Sequence, residues 1–123
     1  MRALTTKANK YYVSAVHART VDGIRFDSRA EMNRYLQLRM LERSGRIRDL
    51  ERQVPYVLVP KYRRRNGSLC RGVTYRADFR YFDIVTDKEI VEDVKGAITE
   101  GYRIKRALLE WRYPELNFVE VRG

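Results

Sequence analysis

The spacing of apolar residues divides the first half of the chain into a turn or strand followed by a helix. Residues 21–27 (VDGIRFD) are typical of a short strand or turn with an Asp-Gly turn signal. Ser28, with Glu31 three residues later, forms a capping-box pattern, which predicts that a helix begins there and ends at Ser44-Gly45. Its predicted buried residues are Tyr35, Leu36, Leu38, Met40 and Leu41.

Extended segments follow this helix. Residues 47–53 and 54–59 have the pattern of two short strands separated by a kink at Pro55. Residues 61–65 (KYRRR) precede an Asn-Gly pair, which predicts an exposed hairpin turn that carries a basic cluster. This part of the chain therefore contributes strand structure and a positively charged projection.

Two strong strand signals and a second helix complete the pattern. Residues 73–83 and 89–95 are rich in β-branched and aromatic residues and are separated by a tight turn. A helix is predicted to begin at Thr99 or Gly101, and residues 116–121 form a last strand. The helix's predicted apolar residues are Ile104, Leu108, Leu109 and Trp111. The order α-β-β-β-α-β predicts an α+β fold with a mixed central β-sheet and flanking helices.

The length of 123 residues fits one domain, which we place at residues 21–123 after a flexible basic arm at residues 1–20. No apolar run approaches the ~20 residues that span a bilayer, and the N-terminus lacks an apolar leader segment, so a cytoplasmic protein is expected. Cys70 is the only cysteine and His17 the only histidine. An intramolecular disulfide and a zinc site made only of Cys and His are therefore excluded.

Charge narrows the function further. The chain has 26 Lys+Arg against 16 Asp+Glu, a formal net charge of +10. A small domain this basic usually meets a polyanion, and nucleic acid is the commonest polyanion in a cytosol. A protein that binds a membrane surface would need a basic amphipathic helix with a bulky apolar face, and none is apparent in the sequence.

Three charged residues in the strand region point to chemistry. Asp78 and Asp93 each lie in an otherwise apolar or aromatic segment, on strands predicted to be neighbours. Lys95 lies two residues after Asp93 and shares its face of the strand, whereas Val94 faces the other side. Two carboxylates and a lysine would then converge. Phosphodiester hydrolysis uses such a set, because hard oxygen ligands hold Mg²⁺ or Mn²⁺ and a lysine activates water or stabilises the phosphorane.

The same residues also permit structural interpretations. Asp93 and Lys95 can form a simple ion pair, and Glu31 can be only the capping partner of Ser28. Asp78 is the residue that favours a metal site over an ion pair, because a second carboxylate would otherwise repel the first.

Residues 26–36 (FDSRAEMNRYL), 74–82 (TYRADFRYF) and 91–96 (VEDVKG) resemble a family of small phage and prophage resolvase-like endonucleases in the PD-(D/E)XK nuclease superfamily. The resemblance covers residues 20–121 and implies a restriction-endonuclease-like fold. One common feature of the superfamily pattern is absent here, because Ala77 and not proline precedes Asp78.

This resemblance implies specific roles. Asp78 and Asp93 would be the strand acids, Lys95 the catalytic lysine and Glu31 a further metal ligand from the first helix. The Val94 backbone carbonyl would also bind the metal. Residues expected to contact nucleic acid are Lys61, Arg63, Arg64, Arg65 and Lys105.

The implied function is a Mg²⁺- or Mn²⁺-dependent endonuclease that cuts DNA in a bacterial host. Branched DNA such as a Holliday junction is the expected substrate, because no base-reading motif is apparent in the sequence. Symmetric cleavage by single active sites implies a homodimer. Two alternatives stay open: a catalytically silent nucleic-acid-binding protein, and a nuclease subunit targeted by a partner from phage or host recombination or replication.

Overall fold

The computed structural model describes residues 15–123, and its elements follow the predicted order of helix, three strands, helix and strand. A 3-10 helix, Val16–Arg19, comes first. The helices are α1 (Arg29–Arg43) and α2 (Glu100–Arg112). The strands are β1 (Thr20–Val21), β2 (Ile24–Arg25), β3 (Ile47–Val59), β4 (Tyr62–Arg63), β5 (Leu69–Cys70), β6 (Val73–Asp83), β7 (Lys88–Lys95) and β8 (Phe118–Arg122).

The central sheet has the strand order β3-β6-β7-β8. Strands β3, β6 and β7 form an antiparallel meander, and β8 pairs with β7 in parallel. A parallel neighbour cannot be reached by a tight turn, so α2 provides the crossover from β7 to β8. The predicted α+β class with a mixed sheet and flanking helices is confirmed. The pairs β1-β2 and β4-β5 form two small separate hairpins.

Local sequence signals explain where the helices begin and end. The Ser28 Oγ accepts a hydrogen bond from the Glu31 N–H at 3.1 Å, and the Thr99 Oγ1 accepts one from the Tyr102 N–H at 3.1 Å. Each therefore satisfies a backbone donor that the first helical turn leaves free. Gly45 follows α1 with a φ of 80°, the left-handed conformation that ends many helices.

Residues 47–59 form one long strand, so the prediction of two strands separated by a kink at Pro55 is wrong. Pro55 pairs with Arg76 within β3, and it is tolerated because β3 is the edge strand of the sheet. The irregularities lie elsewhere. The register shifts near Asp49, which has a φ of 58°, and again between Val57 and Val59.

The buried helix faces differ from the predicted ones. Leu36 and Met40 on α1 are exposed, as are Ile104 and Trp111 on α2, so these four predictions are wrong. On α2 Tyr102 is buried instead. Neighbouring helix positions differ by about 100° in direction, so a list of apolar residues does not reveal which of them faces the sheet.

The predicted turn near residues 21–27 is a hairpin of β1 and β2, with Asp22 and Gly23 in left-handed conformations. Residues 16–20 of the predicted arm belong to the 3-10 helix and β1, and residues 1–14 lie outside the described residues. Within residues 15–123, no helix is long and apolar enough to span a membrane.

The hydrophobic core has two clusters, one next to each helix. The α2 cluster contains Val54, Tyr56, Leu58, Tyr75, Ala77, Val91, Tyr102 and Leu109. The α1 cluster contains Phe26, Tyr35, Leu38, Ile47, Phe79 and Tyr81. Along β6 the change from one cluster to the other falls between Ala77 and Phe79, at Asp78. Opposite it on β3, Gln53 lies just before Val54 of the α2 cluster.

Candidate metal centre

Asp78 and Asp93 lie side by side at the end of the β6-β7 ladder. The last paired residues are Phe79 and Glu92, and beyond them the two carboxylates bind backbone groups. The Asp78 N–H donates to Asp93 Oδ1 at 3.1 Å, and the Val94 N–H donates to Asp78 Oδ2 at 2.8 Å. Each carboxylate is thus fixed to the other's strand. The prediction that these acids converge is confirmed.

Lys95 shares the face of Asp93, as the strand spacing predicts. Its Nζ lies 3.0 Å from Asp93 Oδ2, and the Tyr75 hydroxyl donates to the same oxygen. Burial, and then the hydrogen bond to Asp93, raises the pKa of Tyr75, which keeps that hydroxyl protonated as a donor. The Lys95 ammonium also lies 4.3 Å from the ring centroid of Tyr102.

Glu92 occupies the opposite face of β7 and has a structural role. Its side chain is almost completely buried and accepts two hydrogen bonds from Arg34, at 2.8 and 2.6 Å, and one from the Tyr81 hydroxyl. The Arg34 guanidinium and the Glu92 carboxylate thus form a salt bridge. The neighbouring acids of β7 therefore belong to different networks.

Glu31 does more than cap α1. Only its backbone N–H bonds to Ser28. Glu31 is 4% exposed, and its carboxylate accepts a hydrogen bond from Gln53 at 3.2 Å. The Arg52 guanidinium lies 3.6 Å from the same Glu31 oxygen. Burial, and then the charge of Asp27, raises the pKa of the Glu31 carboxyl. The first-helix acid thus points toward the strand acids, as the resemblance implies.

Gln53 is the site residue that was not among the predicted ligands. Its Nε2 lies 3.2 Å from Glu31 Oε2 and 3.4 Å from Asp78 Oδ1, so it connects the helix acid to the strand acid. Its φ of 53° is uncommon for a residue other than glycine. The alternation of residues around Gln53, which follows the basic Arg52 in an otherwise apolar strand, does not predict that its side chain contacts the acids.

The pKa of Asp78 is strongly perturbed by its surroundings. Burial, and then the charge of Asp93, raises the pKa of Asp78 to about 7. The charge of Glu31 acts in the same direction, and the Val94 N–H opposes it. Among the ion pairs of the described residues, Asp93 pairs with Lys95 and Glu31 with Arg52, but Asp78 has no cationic partner within 4 Å.

This donor set fits a hard divalent cation chemically. Three carboxylates and an amide oxygen are ligands that Mg²⁺ and Mn²⁺ accept, and the shortage of positive charge at Asp78 favours a cation. In residues 15–123, however, no three acidic, His or Cys side chains form a group with metal-holding geometry. The Gln53 amide nitrogen lies between two of the acids, so binding would require a small side-chain rearrangement.

A family model described as "Protein of unknown function (DUF1064)" matches residues 8–122 of the chain. The chain belongs to this family. No curated protein and no solved structure matches the chain. Membership of DUF1064 names no reaction, so the function has to be argued from the site.

A groove of about 570 Å³ in this DUF1064 protein adjoins the acids on the α2 side. Its basic residues are Arg76, Lys95 and Lys105, and the start of α2 at Thr99 forms one wall. Lys105 therefore lines the same groove as Lys95, the predicted catalytic lysine. A helix N-terminus and three cations make the groove electrostatically suited to phosphate groups.

The predicted basic hairpin forms, but it is a separate projection. Strands β4 and β5 pair through Tyr62 with Cys70 and Arg63 with Leu69. Its basic residues Lys61, Arg63, Arg64 and Arg65 are exposed. The hairpin joins the ends of β3 and β6, so it extends from the sheet without contributing a side chain to the carboxylate cluster.

Proposed function

We propose that this protein is a metal-dependent endonuclease of the PD-(D/E)XK type that hydrolyses phosphodiester bonds in DNA. The observation that carries the proposal is the arrangement of Asp78 and Asp93 on adjacent strands with Lys95 3.0 Å from Asp93. Glu31 completes the set from α1, in the direction that the resemblance implies. An ion pair between Asp93 and Lys95 alone would not need the half-buried Asp78 beside it, which has no cationic partner within 4 Å among the described residues.

The proposed roles follow from the chemistry of each side chain. Asp78, Asp93 and Glu31, with the Val94 carbonyl, would hold Mg²⁺ or Mn²⁺. When bound, this ion would supply charge neutralisation at the phosphate and a lowered pKa for water. Lys95 would position the attacking water and stabilise charge on the phosphate oxygens, since its ammonium projects beside Asp93 into the basic groove. Lys95 is held between Asp93 and the Tyr102 ring, which restricts the position of its ammonium.

The proposed substrate is DNA recognised through its backbone and shape. The net charge of +10 and the exposed basic hairpin support phosphate contacts by Lys61, Arg63, Arg64 and Arg65, and Lys105 adds one in the groove. Among the described residues, five strands separate α1 from α2 in the chain, so the two do not form a helix-turn-helix unit that reads a major groove. Branched DNA cut by a homodimer, in the cytoplasm of a bacterial host, is the corresponding biological setting.

One cleavage assay tests the proposal. Purified protein is incubated with a four-way junction, a duplex and a single strand, in Mg²⁺ or in chelator. Asp93→Asn and Asp93→Ala are compared with Glu89→Gln, which removes an exposed carboxylate from the same strand. We expect cleavage by wild type and Glu89→Gln only with metal, and loss of cleavage in both Asp93 variants whose circular dichroism stays native.

The outcomes separate the alternatives. Cleavage in chelator, or cleavage undiminished by Asp93→Asn, would contradict the active-site assignment. Tight DNA binding without cleavage of any substrate would favour the silent nucleic-acid-binding protein. Cleavage that appears only after a phage or host recombination or replication protein is added would favour the targeted nuclease subunit.

A further inference from the structure

The side-chain amide of Gln53 lies between two acids of the candidate metal centre, Glu31 and Asp78. Its amide nitrogen is within hydrogen-bond distance of both Glu31 Oε2, at 3.2 Å, and Asp78 Oδ1, at 3.4 Å. In the absence of a cation, the amide N–H groups donate to both carboxylates and so offset the repulsion between the two negative charges. The nitrogen therefore lies beside the space that a cation shared by Glu31 and Asp78 would occupy.

The backbone holds the amide in this place at a cost. Gln53 adopts a φ of 53°, in a strand whose paired neighbours Arg52 and Val54 keep the regular register. A left-handed residue other than glycine costs about 1 kcal/mol or more and persists where the surrounding structure compensates for it. Arg52 stacks on Phe26 and Val54 is buried in the α2 cluster, so both flanking residues are fixed by packing.

A glutamine is the side chain that can serve both states. A primary amide has two N–H donors on one side and a carbonyl oxygen on the other, and rotation about its last torsion exchanges them. A lysine could only donate, and a glutamate could only accept. At this point between Glu31 and Asp78, an amide can donate to the acids when metal is absent and present an oxygen when metal is bound.

We propose that Gln53 is a metal ligand of the centre through its Oε1, and that its amide rotates when the metal binds. In the metal-free protein its Nε2 holds Glu31 and Asp78 together. The inference rests on the metal centre of the proposed function. It adds a fourth side chain to that centre and explains why the acids do not form metal-holding geometry while the amide nitrogen lies between them.

Two substitutions separate the two states. Gln53→Met keeps an unbranched side chain of similar length but removes donor and acceptor, and it should weaken Mn²⁺ affinity by about tenfold or more. Gln53→Glu places a carboxylate oxygen where the amide oxygen would bind. It should retain or tighten Mn²⁺ binding, and it should lower the melting temperature in chelator because a fourth acid joins Glu31 and Asp78. Both variants keep the same unbranched Cβ, so the backbone cost is unchanged.

Gln37 supplies the matched control, since it is the other glutamine of the chain and lies exposed on α1, where it accepts a hydrogen bond from Arg34. Gln37→Met should bind Mn²⁺ like wild type. Binding is measured by calorimetry without DNA. The Gln53 side-chain amide signals, identified by their loss in Gln53→Met, should shift in ¹⁵N–¹H spectra when Mg²⁺ is added, and the Gln37 signals should not.

The results distinguish this inference from the proposed function. Wild-type affinity in Gln53→Met, or weaker binding by Gln53→Glu, would overturn the inference and leave the nuclease proposal standing. Metal binding that depends on Gln53, without cleavage of any DNA, would contradict the nuclease proposal and support the inference. If wild type binds neither Mg²⁺ nor Mn²⁺, both are wrong.

Discussion

Replacing Asp78 with asparagine should stabilise the metal-free protein at neutral and alkaline pH while it removes metal binding. Burial and the charge of Asp93 raise the pKa of Asp78 to about 7, from an ordinary value of 3.8. A carboxyl with a raised pKa binds its proton more tightly in the folded protein than in the unfolded chain. Its ionisation therefore destabilises the fold as pH rises from about 4 to about 7. Above that range the full cost remains.

The magnitude follows from the shift. About three pKa units correspond to about 4 kcal/mol at alkaline pH. Partial exposure of Asp78 and its coupling to Asp93 reduce this, so we expect Asp78→Asn to gain about 1–3 kcal/mol above pH ~8. The asparagine Oδ1 can still accept the hydrogen bond from Val94 N–H, so the backbone contact is retained. Below pH ~3 the gain should vanish, because Asp78 is then mostly neutral in both the folded and the unfolded states.

Urea unfolding in chelator, followed by circular dichroism at about pH 5 and about pH 8.5, measures the difference. Glu89→Gln, which removes an exposed charge from β7, should change stability by less than about 0.5 kcal/mol at either pH. With Mg²⁺ the order should reverse, because only wild type gains free energy from binding. An Asp78→Asn variant that is less stable than wild type at high pH in chelator would refute the reasoning, as would a difference independent of pH.

Three further substitutions probe separate parts of the molecule. Lys95→Ala should lower the cleavage rate by about 100-fold or more with Mn²⁺ affinity retained in calorimetry, whereas Lys88→Ala at the other end of β7 should cleave normally. Arg34→Ala leaves Glu92 buried without its ion-pair partner and should cost about 3–5 kcal/mol in urea unfolding; a loss below ~1 kcal/mol would contradict this. Arg64→Glu on the exposed hairpin should weaken DNA binding in chelator and reduce its salt dependence by about one phosphate contact, and an unchanged slope would exclude the hairpin from the DNA interface.

The sequence predicted the strand-borne part of the site well because β-strand alternation is rigid. Asp93 and Lys95 share a face two residues apart, and a tight turn places the strand of Asp78 beside them. Glu92 directly precedes Asp93, so the same alternation places its side chain on the opposite face of β7. These positions depend only on local periodicity and on a short connection, both of which a single sequence contains.

Other features depended on contacts that periodicity does not encode. Trp111 and Met40 fit an apolar helix pattern but are exposed, because the sheet touches a different side of each helix. Gln53 reaches the acids through a left-handed backbone conformation in β3. A sequence pattern typical of a strand does not predict such a conformation. Pro55 was predicted to kink the chain. It lies on an edge strand, however, where no neighbouring strand on the open side needs the backbone N–H that proline lacks.

The charges around β7 explain why one acid is structural and its neighbours form a site. On the α1 side, Glu92 is matched by the two-point contact of Arg34, so its burial leaves no net charge. The site acids Glu31, Asp78 and Asp93 have Arg52 and Lys95 as their partners within 4 Å among the described residues, and Asp78 is left without one. A protein with a net charge of +10 has many cations, yet none of those in residues 15–123 forms an ion pair with Asp78 within 4 Å. An unpaired, half-buried carboxylate is costly unless a proton or a cation neutralises it. The proposed function therefore predicts that a cation from solution supplies the missing positive charge at Asp78, the point where the two core clusters meet.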